Sequence, residues 1–285
     1  MDLSIIIVNY NQKNLLKQCG QNILDIKPNL DYEIIVIDNS SSDSSQEMLQ
    51  NMISLGGPPS SADRQTSADA RFCSFAHPPT GGLRFIQNRR NLGFAKAVNQ
   101  GIKLAQGKYV LILNPDIIVL PGSIETIYQF MENNPRCAVA GPQLLNPNKT
   151  VQYSACRFPK WYTPILRRTF LGRFGWGKKH LRYYLMMDWN HQNNQEVDWL
   201  LGAALMVRRE AIKQVGPMDE KFFLYFEDVD WCRRFYQSHW QVWYVAKAKM
   251  YHFHQRLSAE QGGPLALFKK ISWIHLISAL KYFLG

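Results

Sequence analysis

The chain has 285 residues, 46% of them hydrophobic and 19% charged, which describes an ordinary folded protein able to bury a substantial core in one large domain or one domain with additions. Its 33 basic residues exceed the 22 acidic ones for a net charge of +11, a balance that favours polyanionic partners: nucleotide phosphates, anionic lipid headgroups or nucleic acid. Five cysteines, Cys19, Cys73, Cys137, Cys156 and Cys232, lack the paired spacing of a disulfide framework or zinc site and read as reduced thiols.

The opening MDLSIIIVNYNQ carries no basic stretch ahead of its apolar run, and Asn9 interrupts that run. It is expected to be neither a signal peptide nor a membrane span, and the start is cytoplasmic in character. SIIIVNY predicts a first strand, Asn14 to Ile26 a helix, YEIIVID a second strand, and a second helix follows Ser40–Ser45. Uninterrupted runs such as IIIV and IIVI suit strands buried on both faces, and the alternation of strand and helix predicts an α/β fold with a largely parallel sheet.

Residues 56–82, rich in Gly, Pro, Ser and Ala, predict a flexible surface insertion, and a lid or partner-binding loop is the functional alternative. LRFIQ from Leu83 and KYVLILNP from Lys108 predict two more strands. After Pro142 the pattern loosens, and residues 157–184 are basic and aromatic without a single Asp or Glu. VDWLLGAALMVRREAIKQVG and FFLYFEDVDWCRRFYQS each run from an apolar stretch into a helical pattern. The chain closes on the apolar PLALFKKISWIHLISALKYFLG.

In an open parallel sheet, ligands gather at the carboxyl ends of the strands. Three such ends present polar residues: Asn9, Tyr10 and Asn11; Asp38, Asn39 and Ser40; and Asn114, Pro115 and Asp116. Turn and cap chemistry explains any one of them alone, but not three in alignment. Neither GxGxxG nor GxxxxGK[ST] occurs in the matching context, so the dinucleotide oxidoreductase and P-loop readings lose their main support. Asp116 offers a hard oxygen to Mg²⁺ or Mn²⁺, which would bridge phosphates, and Asn114 stands in the first position of an Asp-x-Asp-like pattern. In MYHFH, His252 and His254 alternate on a strand-like run and share a face. FEDVDW groups Glu227, Asp228 and Asp230, either as catalytic carboxylates with raised affinity for protons or as an acidic first turn that complements a helix dipole.

Taken in order, SIIIVNYNQKNLL, IIVIDNSSSD, NLGFAKAVNQGI, YVLILNPDIIV, VDWLLGAALMVRREAI and FFLYFEDVDWCRR resemble the family 2 inverting glycosyltransferases, in their bacterial rhamnosyltransferase-like branch, from Ser4 to His254. The resemblance implies a GT-A fold, a mostly parallel Rossmann-like central sheet flanked by helices. The GT-A domain would cover residues 1–255, with a C-terminal helical extension over 256–285. It implies that Val8, Asn9, Tyr10 and Asp38 line the nucleobase pocket, with Asp38 accepting a hydrogen bond from uracil or thymine. Asn91, Gly93, Phe94 and Asn99 would lie beside the ribose and diphosphate with Asn114, Asp116 and His252 would hold the metal, and Asp228 would be the catalytic base. Glu227 and Asp230 would bind or orient the acceptor beside a wall made by Trp199 and the turn at Gly202.

The implied reaction is single displacement with inversion, from a dTDP- or UDP-linked sugar, first dTDP-rhamnose, to a hydroxyl of a glycan or polyprenyl-diphosphate-linked acceptor in cell-surface polysaccharide synthesis. The 157–184 segment has the composition of a surface touching lipid headgroups. Such acceptors are common in the family, so an anionic membrane surface is preferred to nucleic acid as partner, with the protein peripheral on the inner face of the cell membrane. The last helix fits a membrane interface or a contact between two copies of the chain in a homodimer. A metal-dependent nucleotidyltransferase and a catalytically silent nucleotide-sugar-binding protein are the alternatives.

Overall fold

A computed structural model describes residues 1–54, 66–67, 70–75, 82–253 and 270–285. His254 lies outside them. In chain order the elements are β1 (Leu3–Asn9), α1 (Lys13–Ile26), β2 (Tyr32–Asp38), α2 (Ser45–Ser54), β3 (Thr66–Ser67), β4 (Ala70–Phe75), β5 (Leu83–Asn88), α3 (Phe94–Leu104), β6 (Tyr109–Leu113), β7 (Ile117–Val119), α4 (Ser123–Asn133), β8 (Cys137–Leu145) and β9 (Ala155–Cys156). There follow α5 (Thr163–Arg168), a 3-10 turn (Phe170–Arg173), α6 (Gly175–Tyr184), β10 (Gln195–Glu196), β11 (Trp199–Leu200), β12 (Ala204–Arg208), α7 (Arg209–Val215), α8 (Glu227–Gln237), β13 (Gln241–His252) and α9 (Lys270–Leu284).

The centre of the sheet is four parallel strands in the order β6-β1-β2-β5. Successive side chains of a strand face opposite ways, so Ile6 and Val8 enter one core and Leu3, Ile5 and Ile7 the other. That division explains the unbroken apolar runs: α1, α2 and α4 cover one face, while α3, α7, α8 and α9 cover the other. On α1 the stripe Leu16, Cys19 and Ile23 is buried, and each of the two aliphatic chains contributes about 1.5–3 kcal/mol when fully removed from water.

Beyond β6 the sheet becomes mixed. β12 runs antiparallel to both β6 and β8, and β13 runs parallel to β8 and antiparallel to β10 and to β7. Arg208, at the end of β12, is buried and donates hydrogen bonds to the carbonyls of Cys137, Met131 and Asn134, which ties β12 to the last turn of α4. FFLYF forms no strand: Phe222 and Phe226 are buried, Phe223 is exposed, and the segment runs irregularly into α8.

Within the segment expected as a flexible insertion, β3 and β4 form an antiparallel pair, and β4 lies antiparallel beside β5 at the sheet edge. Four cysteines, Cys19, Cys137, Cys156 and Cys232, are free and buried.

Sheet order reverses around β1, with β2 on one side and β6 on the other, which is the topological switch point where α/β sheets take ligands. Register sets the polar ends in line: Asn9 stands opposite Asp38, and Ile7 opposite Leu113, so Asn114 follows at the same edge. At the opposite, amino edge the chain approaches closely at Gly107, where a Cβ would lie 2.5 Å from main-chain atoms of both Leu3 and Ser4. Gly107→Ala is expected to lower stability by about 1–3 kcal/mol in denaturant unfolding, as overpacking does.

Candidate active site

The loops after β1, β2 and β5 are laced together. Asp38 accepts hydrogen bonds from the Asn9 amide at 2.9 Å and the Ser41 hydroxyl at 2.5 Å on one oxygen, and from the Ser41 N–H at 3.0 Å and Gln46 at 3.1 Å on the other. Its carboxylate is thereby filled to its usual capacity. Asn39 is filled likewise: its amide donates to Asn91 Oδ1 and the Gly93 carbonyl, and its oxygen accepts from Asn88 and the Leu92 N–H. Asp43 caps α1 by accepting the Lys13 N–H at 2.8 Å and also accepts from Ser45. Val8 and Asn9 are buried and Tyr10 is exposed. Asn9 Oδ1 is buried without a hydrogen-bond partner among the described residues.

Gly93 precedes α3 at φ +85°, and a Cβ there would meet the Phe223 carbonyl at 2.5 Å. The adjoining Phe94 N–H donates to that same carbonyl at 2.7 Å, while the Phe94 ring is partly buried against the core. Asn99, expected beside the donor, is buried, and its amide donates to the Met218 carbonyl and Glu220 while its oxygen accepts the Met218 N–H. It fastens α3 to the segment that leads into α8.

The two expected metal ligands converge because β7 pairs with β13, which sets His252 opposite Ile117, the residue after Asp116. The Phe253 N–H donates to the Asp116 carbonyl at 2.9 Å and closes the ladder. His252 Nε2 lies 3.4 Å from Asp116 Oδ2, and Asp116 Oδ1 is buried without a hydrogen-bond partner among the described residues. His252 Nδ1 lies 2.7 Å from Gln152 Oε1. An amide oxygen only accepts, so Nδ1 carries a proton toward it, and Nε2 is the nitrogen turned to the carboxylate. A histidine fixed by an outer oxygen, facing a carboxylate with an unfilled atom, suits a divalent cation. Among the described residues no group of three or more His, Cys, Asp or Glu side chains converges as a complete ligand set, so further ligands would come from phosphate and water. Asn114, half-buried, donates its N–H to the Ala203 carbonyl.

The neighbouring turn carries the other half of the site. The Gly202 N–H donates to Asp228 Oδ2 at 2.9 Å, and the Val229 N–H donates to Oδ1 at 2.8 Å. Asp228 and Glu227 open α8 and are both buried. Burial raises the Asp228 pKa against the pull of these N–H groups and of the Arg167 charge. Burial and then the Asp228 charge push Glu227 well above the carboxylate range, and its Oε2 has no hydrogen-bond partner among the described residues.

Two expected acceptor contacts are placed otherwise. Asp230 binds Arg234 at 2.8 Å, a pair one helical turn apart. Trp199 is 5% exposed, with its indole N–H on the Arg157 carbonyl, and it packs in the core rather than presenting a face to a sugar. Asn39 was marked by sequence only as one of the polar strand-end residues, and Asp43 and Gln152 were not singled out. Asp43 carries a legible signal, an Asx residue ahead of a helix. Gln152 carries none, because its partner is 100 residues away.

A parallel core with polar strand ends, an antiparallel return that brings a histidine to the fourth strand's aspartate, and a carboxylate-led helix beside them together define a GT-A fold. The chain belongs to Glycosyl transferase family 2, whose family model matches residues 4–215. It is 30% identical over 206 residues to the N-acetylglucosaminyl-diphospho-decaprenol L-rhamnosyltransferase of Mycobacterium tuberculosis, covering 68% of this chain and 66% of that protein, just under two thirds of its length. It is 25% identical over 283 residues to rhamnosyltransferase WbbL of Escherichia coli K12, covering 98% of this chain and 91% of the relative. Its fold matches the crystal structure of GalNAc-T7 with UDP, GalNAc and Mn²⁺ at a TM-score of 0.61 and 14% identity, over 89% of this chain and 44% of that one. Asp228 and His252 lie beyond the stretch matched by the family model.

Gln152→Leu is expected to weaken Mn²⁺ binding by about 10–100-fold, read as the metal-induced shift in melting temperature, because the tautomer facing Asp116 is no longer fixed. Glu227 carries the second expectation. A carboxyl whose pKa is raised by folding supports the fold below about pH 4, near the unfolded value, and loses that contribution as pH rises through the raised value. Glu227→Gln should therefore melt at a higher temperature than the parent at neutral pH, with the difference closing toward about pH 4.

Proposed function

We propose that this protein catalyses inverting transfer of a sugar from a nucleoside-diphosphate donor, rhamnose from dTDP-rhamnose first and UDP-galactofuranose or another UDP-hexose next, to a hydroxyl of a lipid-linked glycan in cell-surface polysaccharide synthesis. The observation that carries the reading is the turn at Gly202–Ala203. One side of it holds Asp228 through the Gly202 N–H, and the other holds the Asn114 N–H, two residues from Asp116, through the Ala203 carbonyl. The candidate base and the candidate metal ligand are thus fixed on one short piece of main chain. The relatives' names, two of them rhamnosyltransferases, support the sugar and the lipid-linked acceptor.

In this reading the base is taken at the ends of β1 and β2, where Asn9 Oδ1 is an acceptor left open once Asp38 has filled its own. Asp116 and His252 would hold Mg²⁺ or Mn²⁺, which supplies positive charge to the leaving diphosphate. Asp228 takes the acceptor hydroxyl's proton as that oxygen attacks the anomeric carbon from the side opposite the diphosphate. The carbon–oxygen bond to the diphosphate breaks in the same step, without a covalent enzyme intermediate. Burial suits Asp228 to this, since a raised pKa strengthens it as a base.

Around the site, Trp161, Phe170, Phe174 and Trp176 project into solvent among basic residues, and α9 exposes Trp273, Leu276, Ile277 and Leu280. These surfaces suit the headgroup region of an anionic membrane. Among the described residues no helix is long and apolar enough to cross one.

The test is a donor-hydrolysis and thermal-shift screen over dTDP- and UDP-sugars, with and without Mn²⁺; a protein that gains nothing from any nucleotide sugar in metal would overturn the reading. Asp228→Asn is expected to lower kcat by about 10²–10⁴-fold while leaving the donor's Kd within about twofold. A fully active Asp228→Asn would remove this residue from the mechanism.

A further inference from the structure

Arg167 and Arg168 end α5, and both are exposed. On one side the Arg167 guanidinium lies 5.7 Å from the centre of the Tyr184 ring, which lies 6.3 Å from Trp199, three residues before Gly202. On the other side His275 of α9 sits 4.9 Å from the Tyr225 ring and 5.3 Å from the Phe226 ring, the two residues immediately ahead of Glu227 and Asp228. Both arginines act on that histidine: burial first, then the charges of Arg168 and Arg167, push its imidazole down to about 3. Arg167 also draws the Asp228 carboxyl down against its burial. The Arg167 guanidinium therefore lies against α6 and within electrostatic reach of Asp228 in the first turn of α8, and Arg168, next to it in the chain, is within electrostatic reach of His275 on α9.

A basic last turn complements the dipole of α5, but that need is met by any solvent-facing cation and does not require charge brought to Asp228. Arg167 forms no ion pair among the described residues, and its hydroxyl partner Tyr184 is neutral. Adjacent planar guanidinium forks are suited to a phosphate group, which they bind through paired charge-assisted hydrogen bonds. In the transferase reading the donor's phosphates would lie with the cation at Asp116 and His252, reached from the other side of the Gly202–Ala203 turn through Asn114. We propose that Arg167 and Arg168 form the binding site for the diphosphate of a lipid-linked acceptor, holding it one sugar ring away from the hydroxyl delivered to Asp228. This rests on the transferase reading above and adds to it a site for the acceptor's anion.

The experiment compares the parent with Arg167→Gln/Arg168→Gln and with Arg167→Lys/Arg168→Lys, each checked for an unchanged melting temperature. Two acceptors are used in detergent: an N-acetylglucosaminyl-diphosphoryl alkane and the uncharged octyl N-acetylglucosaminide. The glutamine pair should reduce the preference for the diphosphate acceptor, as a ratio of kcat/KM values, by about tenfold or more, with the lysine pair intermediate and the donor KM within about twofold. An equal loss with both acceptors, a raised donor KM or an unchanged ratio would overturn the proposal. Dodecyl diphosphate binding, followed by tryptophan fluorescence, should weaken by a similar factor, and it decides the site even if the parent transfers to neither acceptor, an outcome that counts against the transferase reading alone. Flotation with phosphatidylglycerol vesicles separates the remaining source of phosphate: lost flotation with an unchanged acceptor ratio assigns the arginines to bulk lipid and overturns the proposal.

Discussion

The loops after β1, β2 and β5 at the carboxyl edge of the sheet depend on the buried hydrogen bonds of Asp38 and Asn39. A carboxylate and an amide removed from water cost several kcal/mol unless their bonds are made inside the protein, and here each finds four. The partners come from the ends of β1, β2 and β5, so satisfying two side chains fixes three loops at once. Loops that would otherwise move independently form one wall, with the entropy of ordering met on folding rather than on binding.

The parallel core was legible in the sequence because burial on both faces leaves unbroken apolar runs, and the strand ends because Asn and Asp interrupt them. Asp116 could be found from its position alone, and Asp228 and His252 chiefly from family resemblance. Local pattern is silent where tertiary packing decides. FFLYF, an apolar run ahead of a helix, anchors two phenylalanines of an irregular segment, and Trp199 is buried with its indole N–H on the Arg157 carbonyl. Asn99 shows the same limit, since its bonds run to Met218 and Glu220, more than a hundred residues along the chain. Side-chain composition gives no register for contacts at that range.

The antiparallel additions make the sheet more than a nucleotide platform. β12 presents the turn that receives Asp228, and β13 carries His252 back to Asp116 after running the length of β8. Neither strand belongs to the alternating βαβ pattern. Both are nevertheless needed to bring carboxylates separated by 112 positions, 116 and 228, to the two sides of one turn.

At Gly93 the loop ahead of α3 meets the segment that leads into α8. The contact is between main chains: the Phe223 carbonyl occupies the space a Cβ would need and accepts the Phe94 N–H. A joint made of backbone atoms keeps its length whatever side chains stand around it. Substitution on either flank can reshape the surfaces there while the gap between the two segments is held by the one residue whose missing side chain makes room for it.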